Sequence, residues 1–234
     1  MDPPDPTRTA VYERALRTQT AIEGQCEMPR SMKLYSHALA PNPRRVRIFA
    51  AEKGIELALE DIDILAGQSR TPDFLAKNSS GGVPVLELDD GSYLSESVAI
   101  CRYLEGLHPE PNLLGRDLRE QAEIERWNRR MELELVAAIG RTVQHTSPIF
   151  QGRFKQFPEY GETQRALVYQ RLERMDRELF GHEFVASDRF TIADITALVA
   201  IDIGGRLADI KIPPELTHLI HWHETVSTRP SAAA

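Results

Sequence analysis

Hydrophobic periodicity changes once along this chain, and the change comes at a proline pair. Before His108-Pro109-Glu110-Pro111-Asn112, short apolar runs alternate between strand and helix spacing, and after it only helical spacing recurs. Such a chain must build one layer from a sheet with helices and a second from helices alone. Lys33-Leu34-Tyr35 reads as a strand, Pro41-Asn42-Pro43 as a turn entering a helix from Arg44 to Lys53, and Gly54 as its stop. Residues 55–64 alternate Leu57, Leu59, Ile62 and Ile64 against Glu56, Glu60, Asp61 and Asp63, which predicts a second strand. A short helix is expected after Thr71-Pro72-Asp73, with Thr71 capping and Pro72 at the first helical position. Val85-Leu86-Glu87-Leu88 and Tyr93-Leu94 flank Asp89-Asp90-Gly91-Ser92, the chemistry of a hairpin, and Ser95 is expected to open a helix to about Gly106.

This order predicts a mixed four-stranded sheet, its first crossover parallel and its last pair antiparallel. Helical patterns at 117–143, 160–180, 191–208 and 215–228 fill the second half, and Thr191-Ile192-Ala193-Asp194 reads as an N-terminal capping arrangement. The expected organisation is an extension over 1–31, an α/β domain over 32–107, a linker over 108–115 and a helical domain over 116–234. The extension carries Pro3, Pro4 and Pro6 and one short amphipathic run from Val11 to Ile22, and is expected to be mobile.

Charge and composition remove several functions. Lys plus Arg total 28 against 35 Asp plus Glu, a formal net charge of −7, which argues against nucleic acid or an anionic membrane as partner. No run reaches the roughly 18 apolar residues of a membrane span, and the N-terminus lacks the pattern of a secretory signal. Cys26 and Cys101 make neither a disulfide framework nor a zinc site, so a cytoplasmic protein without metal is expected. His218, His221 and His223 beside Trp222 suggest a metal cluster, but only the first two share a helix face. Cys101 is expected to be a buried small hydrophobe, Arg44, Arg45 and Arg47 a solvated helix face, and 116–134 a salt-bridged exposed or subunit-facing surface.

Four segments then carry a resemblance. Asn78-Ser79-Ser80-Gly81-Gly82-Val83-Pro84-Val85-Leu86, Leu94-Ser95-Glu96-Ser97-Val98-Ala99-Ile100, Phe190-Thr191-Ile192-Ala193-Asp194-Ile195 and Arg229-Pro230, in this order, resemble the cytosolic glutathione transferases over residues 32–231. The resemblance implies a thioredoxin-like N-terminal domain joined to an α-helical C-terminal domain, paired as a homodimer, with the site at the cleft. It implies glutathione as co-substrate, its thiolate attacking a small hydrophobic electrophile or a disulfide in a detoxifying transferase. A non-catalytic glutathione- or hydrophobic-ligand-binding protein and a glutathione-dependent disulfide reductase stand as alternatives.

The chemistry of such a site is readable residue by residue. Val83 precedes proline and is biased to extended geometry, leaving its backbone free to pair with a peptide; the resemblance implies a cis Val83-Pro84 bond. Glu96 and Ser97 stand at a helix start that favours a carboxylate, and the resemblance puts Ser97 on the γ-glutamyl carboxylate and Glu96 on the ammonium. Ser69 and Gly82 occupy positions that often carry longer polar or basic side chains in the family, which leaves Arg70 or Arg44 to hold the glycyl carboxylate and implies ordinary or weakened affinity. A thiol near pKa 8.5 must fall by about two to be thiolate at neutral pH, roughly 2.7 kcal/mol. A helix dipole gives about 0.3 to 1 kcal/mol, so directed hydrogen bonds worth about 1.5 to 3 kcal/mol must complete the shift. The positions that often carry serine or cysteine are Leu39 and Ala40. Asn42, in a Pro-Asn step that resembles the bacterial nu-class enzymes, is the first donor candidate, although those enzymes have threonine in place of Ala40. Ser36 is the second. Position alone suggests Leu39, Met131, Leu135, Ala138, His145 and Phe150 for the acceptor pocket.

Overall fold

The computed structural model describes residues 32–234, and the expected extension over 1–31 lies outside them. Strands β1 (Lys33–Ser36), β2 (Ala58–Asp61), β3 (Val85–Glu87) and β4 (Tyr93–Ser95) form one sheet in the order β2-β1-β3-β4. β1 and β2 run parallel and the β3–β4 pair is antiparallel, as expected, and the β1–β3 pair is antiparallel as well. Helix α1 (Pro41–Glu52) crosses from β1 to β2, α2 (Pro72–Lys77) precedes β3, and α3 (Ser97–Leu107) follows β4.

Three boundaries differ from the sequence reading, each for a local reason. α1 begins at Pro41, not Arg44, because Pro41 and Pro43 sit in its first turn, where no N–H is needed and proline fits the helical φ. It ends as expected: Gly54 takes φ 65° and donates to the Ala51 carbonyl, while Ile55 donates to the Ala50 carbonyl and buries itself. β2 is only four residues long because β1, its one partner in the sheet, offers four residues to pair with, Lys33 to Ser36. Leu59 there faces solvent, against the expected inward alternation. Ser95 ends β4 and does not cap α3; the cap position belongs to Glu96, held at φ 69°. A carboxylate-bearing residue in that region carries strain of about 1 to 3 kcal/mol.

The helical layer comprises α4 (Leu118–Arg130), a π-helical stretch Met131–Val136, α5 (Ala137–Thr146), α6 (Pro158–Glu178), α7 (Ile192–Ala208) and α8 (Thr217–Ser227). The single helix expected over 117–143 is thus continuous but widened in the middle. α7 is the axis of the protein: Ile192 to Ile201 are all buried, and α1, α4, α5 and α8 pack around it. Its start is the expected capping box, Thr191 with Asp194. Asp194 also accepts from Val185 N at 2.8 Å and Trp222 Nε1 at 2.9 Å, so one buried carboxylate joins three segments. Burial pushes that carboxyl above the usual range, against the pull of its four donors.

One apolar core joins the two layers: Leu34, Ile48 and Phe49 share it with Ile124, Leu135 and Leu198. A smaller cluster of Tyr35, Ile62, Phe74 and Val85 fills the other face of the sheet. Lys53 secures the join at the far end of α1. Its fully buried ammonium pairs with Glu105 at 2.6 Å and donates to the His108 and Pro111 carbonyls, tying α1 to the proline-bearing linker. Cys101 lies wholly buried in the core as expected, and burial pushes its thiol up to about 12. No helix among the described residues is long and apolar enough to cross a membrane.

Candidate active site

Strand register gathers the expected glutathione-facing residues at one end of the sheet. Tyr35 pairs with Val85 and Val85 with Ser95, so the chain segments just beyond these pairs converge: Ser36 and His37, then Val83 and Pro84, then Glu96 and Ser97. The Val83-Pro84 peptide is cis. The loop before it is braced from within. Asn78 donates to the Gly82 carbonyl at 2.9 Å and accepts from Ser80, while Arg70 Nη1 donates to the Ser80 carbonyl at 2.9 Å. Gly81 is required here: a Cβ would lie 2.6 Å from Arg70 Nη1 and 2.8 Å from the Ser69 carbonyl oxygen.

Ser97 is buried, and its Oγ accepts from Arg45 Nη1 at 2.7 Å. With one lone pair so engaged, the hydroxyl proton is free to donate to a ligand carboxylate, with the guanidinium charge behind it. Arg45 is only 2% exposed and bonds Glu132 at 3.1 Å, yet its Nε and Nη2 are buried with no partner among the described residues. Burial depresses its pKa, and Glu132 opposes that. The arginine run is therefore not a solvated face. Arg44 turns to the helical layer, pairing Asp202 at 2.6 Å and the Ala232 carbonyl, and Arg47 donates to Ser36 Oγ at 2.8 Å. Sequence spacing on α1 missed this because the helix is sandwiched between sheet and α7, so faces that would be wet in an isolated helix are covered. Of the two candidates for the glycyl carboxylate, Arg44 is engaged elsewhere, Arg70 is an exposed side chain bonded to the loop, and Ser69 is buried.

Asn42 is exposed at the second position of α1. Pro41 and Pro43 have no N–H and Arg44 N is bonded to the Ala40 carbonyl, so Asn42 supplies the free backbone amide of this helix start as well as a side-chain amide. Ser36 is buried beneath, its oxygen already accepting from Arg47. Beside them opens a cavity of about 310 Å³. Leu39 to Asn42, Ile64, Leu65, Val136, Ile139, Gly140, Val143, Ile149, Phe150 and the Ala200, Ile203, Leu207 face of α7 make it mostly apolar, with His37 and Gln144 as further polar side chains.

Of the residues expected at the acceptor pocket, Leu39 and Phe150 line this cavity. Met131, Leu135 and Ala138 do not: they are buried in the core on the neighbouring face of the same continuous helix. His145 is also off the wall. Its Nδ1 accepts from Phe157 N at 3.1 Å, and Phe154, Phe157 and Tyr160 surround its ring. The stripe that does face the cavity, Val136, Ile139, Gly140, Val143, has ordinary helical spacing one residue out of phase with the expected set. The loop over the cavity is tied by Arg153, which donates from Nε to the Ile149 carbonyl at 3.2 Å and from Nη2 to the Leu65 carbonyl at 2.8 Å. Among the described residues no group of three or more His, Cys, Asp or Glu stands where it could hold a metal. His218 bonds Asp176 and His223 bonds Asp202, on separate sides of α8.

A thioredoxin-like sheet domain with an all-helical domain packed on it, the cleft between them flanked by a cis-proline loop and a helix start, defines a known class. Residues 40–107 match the family model for the N-terminal domain of glutathione S-transferases, and residues 127–230 match that for the C-terminal domain. Glutathione S-transferase 2 of Saccharomyces cerevisiae is 34% identical over 209 residues, covering 88% of this chain and 89% of that protein. A glutathione S-transferase domain-containing protein from Marinobacter aquaeolei superposes with a TM-score of 0.81 at 38% identity, over 85% of this chain and 98% of that one. Gtt2 from Saccharomyces cerevisiae superposes with a TM-score of 0.80 at 34% identity, over 86% and 98%. The chain belongs to the glutathione S-transferase family.

Proposed function

We propose that this protein activates the thiol of glutathione and directs it onto a small apolar electrophile held in the cavity beside Asn42. The observation that carries this reading is the position of the cavity, which is largely apolar and opens at the N-terminus of α1, beside the end of the sheet where the peptide-facing groups converge. In this reading glutathione runs along the extended Val83 backbone. Its γ-glutamyl carboxylate takes the hydroxyl of Ser97 with the Arg45 charge behind, its ammonium takes Glu96, and Arg70 beside Gly82 and Ser69 steers the glycyl end. The sulfur meets the Asn42 amide and the α1 dipole. These stabilise thiolate over thiol, and the cleft supplies positioning.

The apolar wall favours transfer onto carbon over disulfide reduction, and among the described residues the one cysteine, Cys101, is buried in the core away from the cavity. Loss of a hydroxyl at Ala40 keeps a binding protein without turnover as the competing reading. Steady-state assay with a general electrophile and with a mixed disulfide, each with glutathione, separates the three. Ser97→Ala is expected to cost about 1 to 3 kcal/mol of glutathione binding by calorimetry; unchanged affinity removes the assignment of the carboxylate subsite. We also propose a homodimer, supported by exposed Leu118 and Leu133 among the ion pairs of 116–134. Sedimentation of a monomer at micromolar concentration contradicts it.

A further inference from the structure

His37 is a side chain for which the reading above has no use. It follows β1, it is one of the residues that line the 310 Å³ cavity, and its side chain is 14% exposed. The parallel register pairs Ser36 with Asp61, which brings a carboxylate against the ring: Nδ1 stands 3.7 Å from Asp61 Oδ1. Nδ1 is buried without a hydrogen bond, and Nε2 has no partner among the described residues and is not among the buried atoms. A ring nitrogen buried without a hydrogen bond calls for an explanation, and a catalytic role is one that fits a residue on a cavity wall. Asp61 stands on the Nδ1 side of the ring, while the cation Arg47 is committed to Ser36 Oγ and the Ala38 carbonyl. Nε2 is then the ring nitrogen left for a ligand to use.

We propose that His37 is the proton acceptor for the substrate thiol, an assignment that rests on the glutathione reading above. The S–H bond breaks and its proton goes to Nε2, while the sulfur electron pair forms the new S–C bond to the acceptor carbon. With an activated alkene, the electrons of the C=C bond move onto the adjacent carbon, and Nε2–H returns the proton there, so atoms and charge balance without another reactant. With an aryl halide, the halide leaves with its electron pair and the proton passes to solvent. His37 thus serves both halves of an addition but one half of a displacement, which points to conjugated carbonyl compounds as the favoured acceptor class. Asn42 holds the thiolate, and His37 holds what the thiolate gave up.

The test compares the wild-type full-length chain with His37→Ala and His37→Gln, using glutathione with an activated alkene and with an aryl halide. Glutathione affinity by calorimetry should stay within about twofold, since the ring touches the reacting end alone. The kcat/KM for the alkene should fall ~100-fold, the scale of one positioned acid–base group, and that for the halide by less. Gln should do no better than Ala because an amide cannot hold a proton, and added imidazole should restore part of the His37→Ala rate. Wild-type kcat/KM in either variant, or full activity in His37→Gln, overturns the inference. If His37→Ala does not fold, His37→Gln and Asp61→Asn carry the test alone, the latter expected to lose alkene activity in part. A wild-type protein that binds no glutathione overturns the underlying reading; an active wild type with indifferent His37 variants overturns this inference only.

Discussion

At the sheet end of the cleft the groups proposed to face glutathione are placed by backbone: the Val83-Pro84 loop, the Glu96–Ser97 helix start, and the first turn of α1. The acceptor cavity is assembled instead from side chains on α1, α5, α7 and two loops, with no local motif in any of them. Backbone-built recognition tolerates little variation because it depends on φ, ψ and hydrogen-bond register. A side-chain wall can be altered one methyl group at a time. Changes at the first region should therefore strike binding or thiol chemistry, and changes at the second should alter acceptor choice while glutathione affinity stays constant.

The largest expected effect is at Arg45, the buried charge behind Ser97. Arg45→Ala empties a core position, strips Ser97 of its donor and leaves Glu132 with Arg129 alone, and should cost about 2 to 4 kcal/mol in chemical denaturation. Arg45→Met refills the volume and should recover most of that stability without recovering glutathione affinity. If affinity returns with the methionine, the charge is structural and the polar half of the comparison loses its anchor.

Asn42→Ala comes next. Loss of a bond worth about 1.5 to 3 kcal/mol should raise the bound thiol's pKa by about 1 to 2, read by ultraviolet thiolate titration. Turnover at neutral pH should fall more than glutathione affinity, because the amide favours thiolate over thiol. Ser36→Ala is the control. A shift there and none at Asn42 transfers the role to Ser36.

Arg153→Ala frees the loop that carries Ile149 and Phe150 from the Leu65 carbonyl. The ratio of kcat/KM for a bulky to a small acceptor should rise about fivefold, the worth of one net hydrogen bond, with unchanged glutathione KM. An equal change for both acceptors shows that the loop does not measure acceptor size. The smallest effect is at Gly140 on α5, where an added Cβ meets nothing within 4 Å. Gly140→Ala should stabilise the helix by about 0.5 to 1 kcal/mol in thermal melts and raise KM only for bulky acceptors. Loss of glutathione affinity in this variant breaks the separation of the two halves.

Elements and local caps were legible in the sequence because their determinants lie within a few residues. The succession of strands and helices along the chain, the Gly54 stop, the Thr71 cap on α2 and the Thr191–Asp194 box follow from short-range chemistry. Val83, Glu96 and Ser97 could be singled out as candidates for the same reason, since each is marked by its immediate neighbours.

Tertiary structure alone decided which helix faces are wet and which side chains share a wall. Arg45 lies under Ser97, 52 positions along the chain, because α1 is pressed between sheet and α7. Met131, Leu135 and Ala138 lie in the core alone while Val136, Ile139 and Val143 also line the cavity, although both stripes have helical spacing. A period fixes which residues share a face, but the rotation of a helix about its axis is set by everything packed around it. His37 shows the same limit from the other side. Its neighbour Asp61 follows from strand register, and its place on the cavity wall follows from a helical domain that begins some eighty residues later.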